Sequence, residues 1–371
     1  MLKFVVFEDR APATRWPLRH ARLLGHDAAA LPGTVRFNNG AVECEKSVAG
    51  SAALTLQWDA GPAGVLMLQT CLLPERDRPY LLSLELARHR IMLSLMKLEE
   101  WAQFTTPQDH PVSKALAAAH ATFMRALSCS PAPDGLPTAQ QDDLAREALI
   151  AAIQAGEMLT EKHASEQLQS RLDANAESTE RRPAPYIGCV VRTDRIGDVL
   201  QSVIRDSFDF ITLPLPWKTL EPEEGSRYQF QPADRWIEWA VRKGGVPVVA
   251  GPIIDFRPQS VPDWLYIWEN DYETLRDLVY EHLKRIVTRY RRVVQRWTVV
   301  SGLNVNSNFT LSLEQLIDLT RLCALVVRKL QPNAQIIIEV DQPFGEYVAD
   351  NQHGVPPLLY TELLFQAAVD F

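Results

Sequence analysis

Cysteine is scarce in this chain and has no pattern. The five residues, at 44, 71, 129, 189 and 323, are odd in number and include no C-x-x-C pair. This argues against a disulfide framework and a zinc site, and sets the expectation of reduced thiols in a cytoplasmic setting. The eight His show no H-E-x-x-H spacing, so no metal is expected. A G-x-S-x-G elbow and a phosphate-binding glycine loop are both missing, which leaves no cofactor to expect. No apolar run approaches the ~18 residues of a membrane span. The N-terminal run Phe4, Val5, Val6 and Phe7 is too short for a signal-peptide core, so no membrane partner and no export are expected. Positive charge is also in deficit: 38 Lys and Arg face 46 Asp and Glu, a formal net charge of -8. Phosphate binding needs clustered cations, so nucleic acid is not an expected partner. The one basic run, 289–292, falls at the end of a predicted helix, where cations suit the helix dipole.

The chain has 371 residues, 46% of them apolar, enough for two cores or for one domain with a large extension. Residues 1–75 read as short strands separated by turn residues. Asn38-Asn39-Gly40 between apolar runs is a hairpin signal. At 79–104 the period changes. Leu84, Ala87, Ile91, Leu95, Leu98 and Ala102 recur at helical spacing. A second helix is expected at 112–127, a Pro-, Gly- and Ser-rich loop at 128–140, and a longer helix at 141–172. Residues 173–185 read as a linker. This gives a β-rich module with packed helices at 1–130, of a kind that can bind carbohydrate, another ligand or nothing, a helix and linker at 131–182, and a further domain at 183–371.

From 186 onward strands and helices alternate. Strands are expected at 186–191, 208–213, 246–254, 297–300 and 335–340, helices at 196–206, 233–242, 272–292, 313–330 and 357–367, and the start of another strand at 368–371. Alternation with near-continuous apolar strands predicts an α/β fold with a parallel sheet covered by helices. Five units and the start of a sixth are legible.

One stretch in that region carries a specific order. Trp217, Glu221-Pro222, Gly225, Tyr228, Phe230 and Ala233-Asp234-Arg235 follow a buried strand. Further on come Gly251, Pro262-Asp263-Trp264, Thr288-Arg289-Tyr290 and the apolar run at 297–300. Taken together this order resembles glycoside hydrolase family 10, the xylanase family, over roughly residues 183–371. The resemblance implies a (β/α)8 TIM-type barrel. It also implies a polysaccharide or oligosaccharide partner and hydrolysis of β-linked glycan by two carboxyl groups about 5–5.5 Å apart. Matched residue by residue, the family's W-D-V-V-N-E puts Ser301 at the Asn position and Gly302 at the acid/base position. Its E-N-x-M-K-W falls on Thr212, Leu213, Pro214, Leu215, Pro216 and Trp217, and the His of its G-H-x-L-V-W on Pro252. The strand carrying its nucleophile is expected beyond Phe371. Thr361-Glu362-Leu363 looks like the nucleophile motif but lies in an apolar-periodic segment, so Glu362 is expected on an exposed helix face.

The polar residues that remain at strand C-termini are Asp255 and Arg257, then Asn304, Asn306 and Asn308, then Glu339, Asp341 and Glu346. Barrel enzymes build their sites at that edge. Asn and Asp also serve loop turns. The candidate glycan contacts are Trp217, Asp255, Arg257, Asn304, Asn306 and Asp341, with Glu339 the one residue placed to donate a proton. Trp217, Trp264 and Phe256 could stack on sugar rings or fill the core. Two readings stay open: a family 10-like hydrolase, and a non-catalytic relative that binds glycan or protein. An incomplete barrel would call for an oligomer or a partner chain to cover its strand edges.

Overall fold

The computed structural model describes residues 1–26, 28–177, 187–306, 308–349 and 352–367. The chain divides into two compact units, Met1–Arg182 and Pro183–Phe371.

The first unit holds two four-stranded sheets. One runs in the order Tyr80–Leu81, Leu2–Val5, Ala41–Lys46, Gly33–Asn38, and the other Ala30–Leu31, Arg22–Leu24, Ala53–Asp59, Val65–Gln69. The hairpin between Gly33–Asn38 and Ala41–Lys46 closes on Asn39 and Gly40. Both turn residues hold positive φ (44° and 79°), the conformation that a two-residue turn needs to match strand twist. Helices Leu82–Glu100, Pro111–Leu127 and Ala139–Glu177 pack on one another. Leu82, Leu86, Ala126, Ala148 and Leu149 join Leu2, Phe4, Leu54 and Leu56 in one core. The longest helix therefore belongs to this unit and is not a separate segment. It runs on to Glu177 because Ala-Asn-Ala-Glu, read as linker, contains neither Gly nor Pro to stop it.

The second unit is built on parallel strands: β1 (Gly188–Val190), β2 (Phe210–Leu213), β3 (Val248–Ala250), β4 (Ile254–Asp255), β5 (Arg296–Ser301) and β6 (Gln335–Glu339). Every pairing is parallel, β1 with β2, β2 with β3, β3 and β4 both with β5, and β5 with β6. β3 and β4 are two pieces of one strand position. Between them the chain jogs at Gly251, where φ is 124° and an added Cβ would lie 2.1 Å from the Thr298 carbonyl oxygen. Only glycine allows that approach. Ile253 then donates its N–H to the same oxygen at 3.0 Å, and pairing with β5 resumes.

Helices Asp198–Ser207, Gln231–Trp239, Tyr272–Tyr290 and Leu313–Leu330 connect successive strand positions, and Pro357–Ala367 follows β6. With right-handed crossovers, a strand order that always advances the same way puts each connecting helix on the same side of the sheet. That is barrel winding; a doubly wound sheet reverses direction. Closure is not seen: among the described residues β1 pairs only with β2, and β6 only with β5. The expected strand at 368–371 lies outside the described residues, as does Tyr186. The core centres on β5, whose residues 297–301 are all buried. Trp297 is fully buried and donates its indole N–H to Gln331 Oε1 at 2.9 Å. Burial of such a ring contributes roughly 3 kcal/mol. At the opposite edge Ile187, Val190, Val199 and Val203 remain exposed.

Candidate functional site at the strand ends

The C-terminal ends of β4, β5 and β6 bring several charged and polar groups together. Asp255 closes β4 and is buried. Arg257, two residues on, folds back over it: Nε donates to Oδ1 at 2.8 Å and Nη2 to Oδ2 at 2.8 Å. The Arg257 backbone N–H adds a bond to Oδ1 at 3.0 Å, and Ser260 Oγ one to Oδ2 at 2.7 Å. Four donors thus converge on one carboxylate. The outer side of the guanidinium reaches Asp341 Oδ2 and Ser301 Oγ, both at 3.4 Å. The fork on Asp255, and then the charges of Asp255, Asp341 and Glu339, push the Arg257 pKa above its ordinary value. The cation at this edge is fixed.

Ser301 ends β5, and Gly302 follows with φ 63°. Its N–H donates to the Glu339 carbonyl at 3.1 Å. A Cβ at 302 would lie 2.7 Å from Asp341 Oδ2. An acidic side chain of the next strand end therefore borders the space that a residue at 302 would otherwise fill. Glu339 ends β6 in register with Ser301, and its side chain is exposed.

The asparagines hold loops. Asn304 Nδ2 donates to the Asp341 carbonyl at 2.8 Å and its Oδ1 accepts the Asp341 N–H at 3.1 Å, a two-bond clasp between the loops after β5 and β6. Asn306 Oδ1 accepts the N–H groups of Asn308 and Phe309, and its Nδ2 donates to the Phe309 carbonyl, so it forms its own turn. Asn308 Nδ2 donates to the Phe256 carbonyl. Among the described residues these amides each bond backbone, so Asn304, Asn306 and Asn308 serve the loops.

Trp217 is only 4% exposed. Its ring stacks on His282 at 4.0 Å and meets Trp264 edge-on at 5.8 Å, and its N–H donates to Glu221 Oε2 at 3.0 Å. A ring held this way offers no face to a sugar. Phe256 is also buried, against Phe309. Sequence reading missed the group around Trp217. Glu221 is buried, His282 is fully buried, and Tyr228 OH lies 2.7 Å from His282 Nδ1. The signal was the co-occurrence of a Trp, a Glu and a Tyr in the loop after β2 with a helix His at an apolar-periodic position. Burial holds the His282 imidazole well below its ordinary pKa, and Arg285 adds to the effect. His163 stacks on Trp101 at 4.3 Å in the first unit. Glu362 is exposed on helix Pro357–Ala367. Among the described residues no group of His, Cys, Asp and Glu could hold a metal ion, and no helix is long and apolar enough to cross a membrane.

Residues 176–312 match the family model of glycosyl hydrolase family 10. Endo-1,4-beta-xylanase B of Thermotoga neapolitana is 32% identical over 87 residues, 24% of this chain and 24% of that protein. The chain thus spans about a quarter of the length of the curated relative it matches. Among solved structures, the endo-1,4-beta-xylanase of Caldicellulosiruptor owensensis is similar at 18% identity and a TM-score of 0.37, covering 49% of this chain and 56% of that one. Xylanase 10B of Thermotoga maritima is similar at 19% identity and a TM-score of 0.37, covering 50% and 57%. Xylanase10C of Cellvibrio japonicus, solved as a mutant with xylopentaose, is similar at 20% identity and a TM-score of 0.35, covering 41% and 34%. Over residues 176–312 the chain is therefore similar to glycosyl hydrolase family 10, whose model it matches there.

Proposed function

We propose that the second unit binds a β-linked glycan of the xylan type at the C-terminal ends of β4, β5 and β6, and that this edge does not hydrolyse it. The observation that carries the reading is Gly302. In the family resemblance this position holds the general acid, and here it has no side chain, a positive φ and the Asp341 carboxylate beside the place a Cβ would occupy. Glycoside hydrolysis needs a proton donor on the leaving oxygen and a second carboxylate to attack or to activate water. Asp255 is enclosed by Arg257 and Ser260 and faces donors on both oxygens. What the edge does offer to sugar hydroxyls is the half-exposed Arg257 fork, the partly exposed Asp341 and the exposed Glu339.

A second reading is hydrolysis with an acid from a neighbouring strand. It is favoured by one observation, that Glu339 is exposed and in register with Ser301. The discriminating experiment assays the 371-residue chain on xylan and on aryl β-xylosides, beside Glu339→Gln. The expected result is no turnover by either protein, with xylo-oligosaccharide binding that Arg257→Ala weakens. Turnover by the parent that disappears in Glu339→Gln would replace the binding reading with the hydrolytic one.

A further inference from the structure

The first unit contains a cavity of about 840 Å³ bordered by Glu8, Arg15, Trp16, Gln57, Trp58 and Arg146. We propose that it is a binding site for a neutral oligosaccharide, separate from the strand edge of the second unit. Its floor is aromatic. Trp58 is buried at the end of its strand and Trp16 is partly exposed, with ring centroids 5.1 Å apart and planes tilted by 44°. The Arg146 guanidinium lies 5.1 Å from the Trp58 ring and 6.0 Å from the Trp16 ring. It is anchored by Asp142 at 2.7 Å and by the Phe7 carbonyl at 2.7 Å. Asp142 is itself buried and accepts from Ser83 at 2.6 Å.

That anchoring decides the class of ligand. The cation–π position over the two rings is already filled by the protein's own cation, so an ammonium ligand finds no place there. Arg146 is neutralised by Asp142, which leaves Arg15 against Glu8 and Asp59 at the rim. Such a balance suits neither a phosphate nor a polycation. Asp59 Oδ1 is held by the Gly61 N–H at 2.9 Å. The side chains of Glu8, Arg15 and Gln57 have no hydrogen-bond or ion-pair partner among the described residues, and between them they supply an acceptor, a donor and a group that does both. A partly exposed indole beside unengaged polar groups matches a pyranose, which presents an apolar C–H face and a rim of hydroxyls. The volume admits a short oligosaccharide. The proposal takes from the second unit's reading only the choice of sugar to try first.

The test is calorimetric titration of the full chain with xylohexaose, cellohexaose, mannohexaose and chitohexaose. Variants are Trp16→Ala, Glu8→Ala, Arg15→Ala and, in the other unit, Arg257→Ala, each checked for folding by thermal melting. At least one hexaose should bind, with affinity at the first-unit site falling tenfold or more in Trp16→Ala and severalfold in Arg15→Ala and Glu8→Ala, and unchanged in Arg257→Ala. If Trp16→Ala fails to fold, the two rim variants decide, because both residues are exposed. Binding by none of the four sugars overturns the proposal. So does binding that Arg257→Ala abolishes while the three first-unit variants leave it intact, a result that would still uphold the strand-edge site.

Discussion

Gly302 shows how much one residue can fix. Its φ of 63° already favours glycine, and Asp341 Oδ2 lies 2.7 Å from the position of any Cβ. Gly302→Ala should therefore destabilise the protein by about 1–3 kcal/mol, measured by urea unfolding, because it combines left-handed strain with a contact that must give way. A change within a few tenths would mean that Asp341 rotates freely. The buried histidines make a second residue-scale prediction. Burial, with a contribution from Arg90, lowers the His89 pKa from 6.5 to about 4. Burial lowers that of His282 as well. Both are depressed in the folded state, so the unfolded chain binds more protons below pH 6.5. Stability is then complete above that pH and falls as pH drops toward 4, by roughly 3 kcal/mol for His89. His89→Leu should flatten the fall in melting temperature between pH 6.5 and 4; an unchanged slope would assign it to other groups. At this scale the sequence was only partly legible. That Asp255, Arg257, Asn304 and Asp341 sit at strand ends followed from the alternation of elements. That Arg257 folds onto Asp255, or that Asn304 clasps backbone 37 residues away, depends on loop paths that no local pattern encodes.

At the scale of elements the periods carried well. Helix Leu313–Leu330 opens on Ser312, whose Oγ accepts the Gln315 N–H at 3.2 Å while Gln315 Oε1 accepts the Ser312 N–H at 2.8 Å. This reciprocal cap satisfies two N–H groups that the helix cannot. Ser312→Ala should cost about 1 kcal/mol in chemical denaturation, and Ser312→Asp should recover most of it. The helix packs on β5, so its loss would loosen the strand that carries Ser301. Legibility failed where an element depends on a close approach. The expected single strand at 246–254 is split into β3 and β4, because Gly251 must admit the Thr298 carbonyl. A lone glycine in an apolar run signals such a site without saying what approaches.

For the second unit as a whole, an open edge matters most. Among the described residues β1 has a partner on one side only, and its own Val190, with Val199 and Val203 on the next helix, is more than half exposed. Apolar surface next to an unpaired strand edge favours association. Sedimentation of the 371-residue chain should show concentration-dependent self-association that Val199→Lys with Val203→Lys reduces. A monomer at all concentrations in the parent would contradict this. Alternation and apolar strands made a parallel sheet readable from sequence. Closure is a property of pairing between distant strands, and neither composition nor period specifies it.

The packing of Asp341 against Gly302 also orders the routes by which this edge could change. A side chain entering at 302 must displace Asp341 Oδ2, so the less costly route begins with a change at 341. Shortening Asp341 removes one of the two carboxylates on the Arg257 fork, so that step carries its own cost. The two substitutions should therefore be strongly non-additive: Gly302→Glu in an Asp341→Gly background should cost less than Gly302→Glu alone by about 0.5–3 kcal/mol. A landscape of that shape favours one order of steps over the other, and it makes a glycine at this position costly to leave.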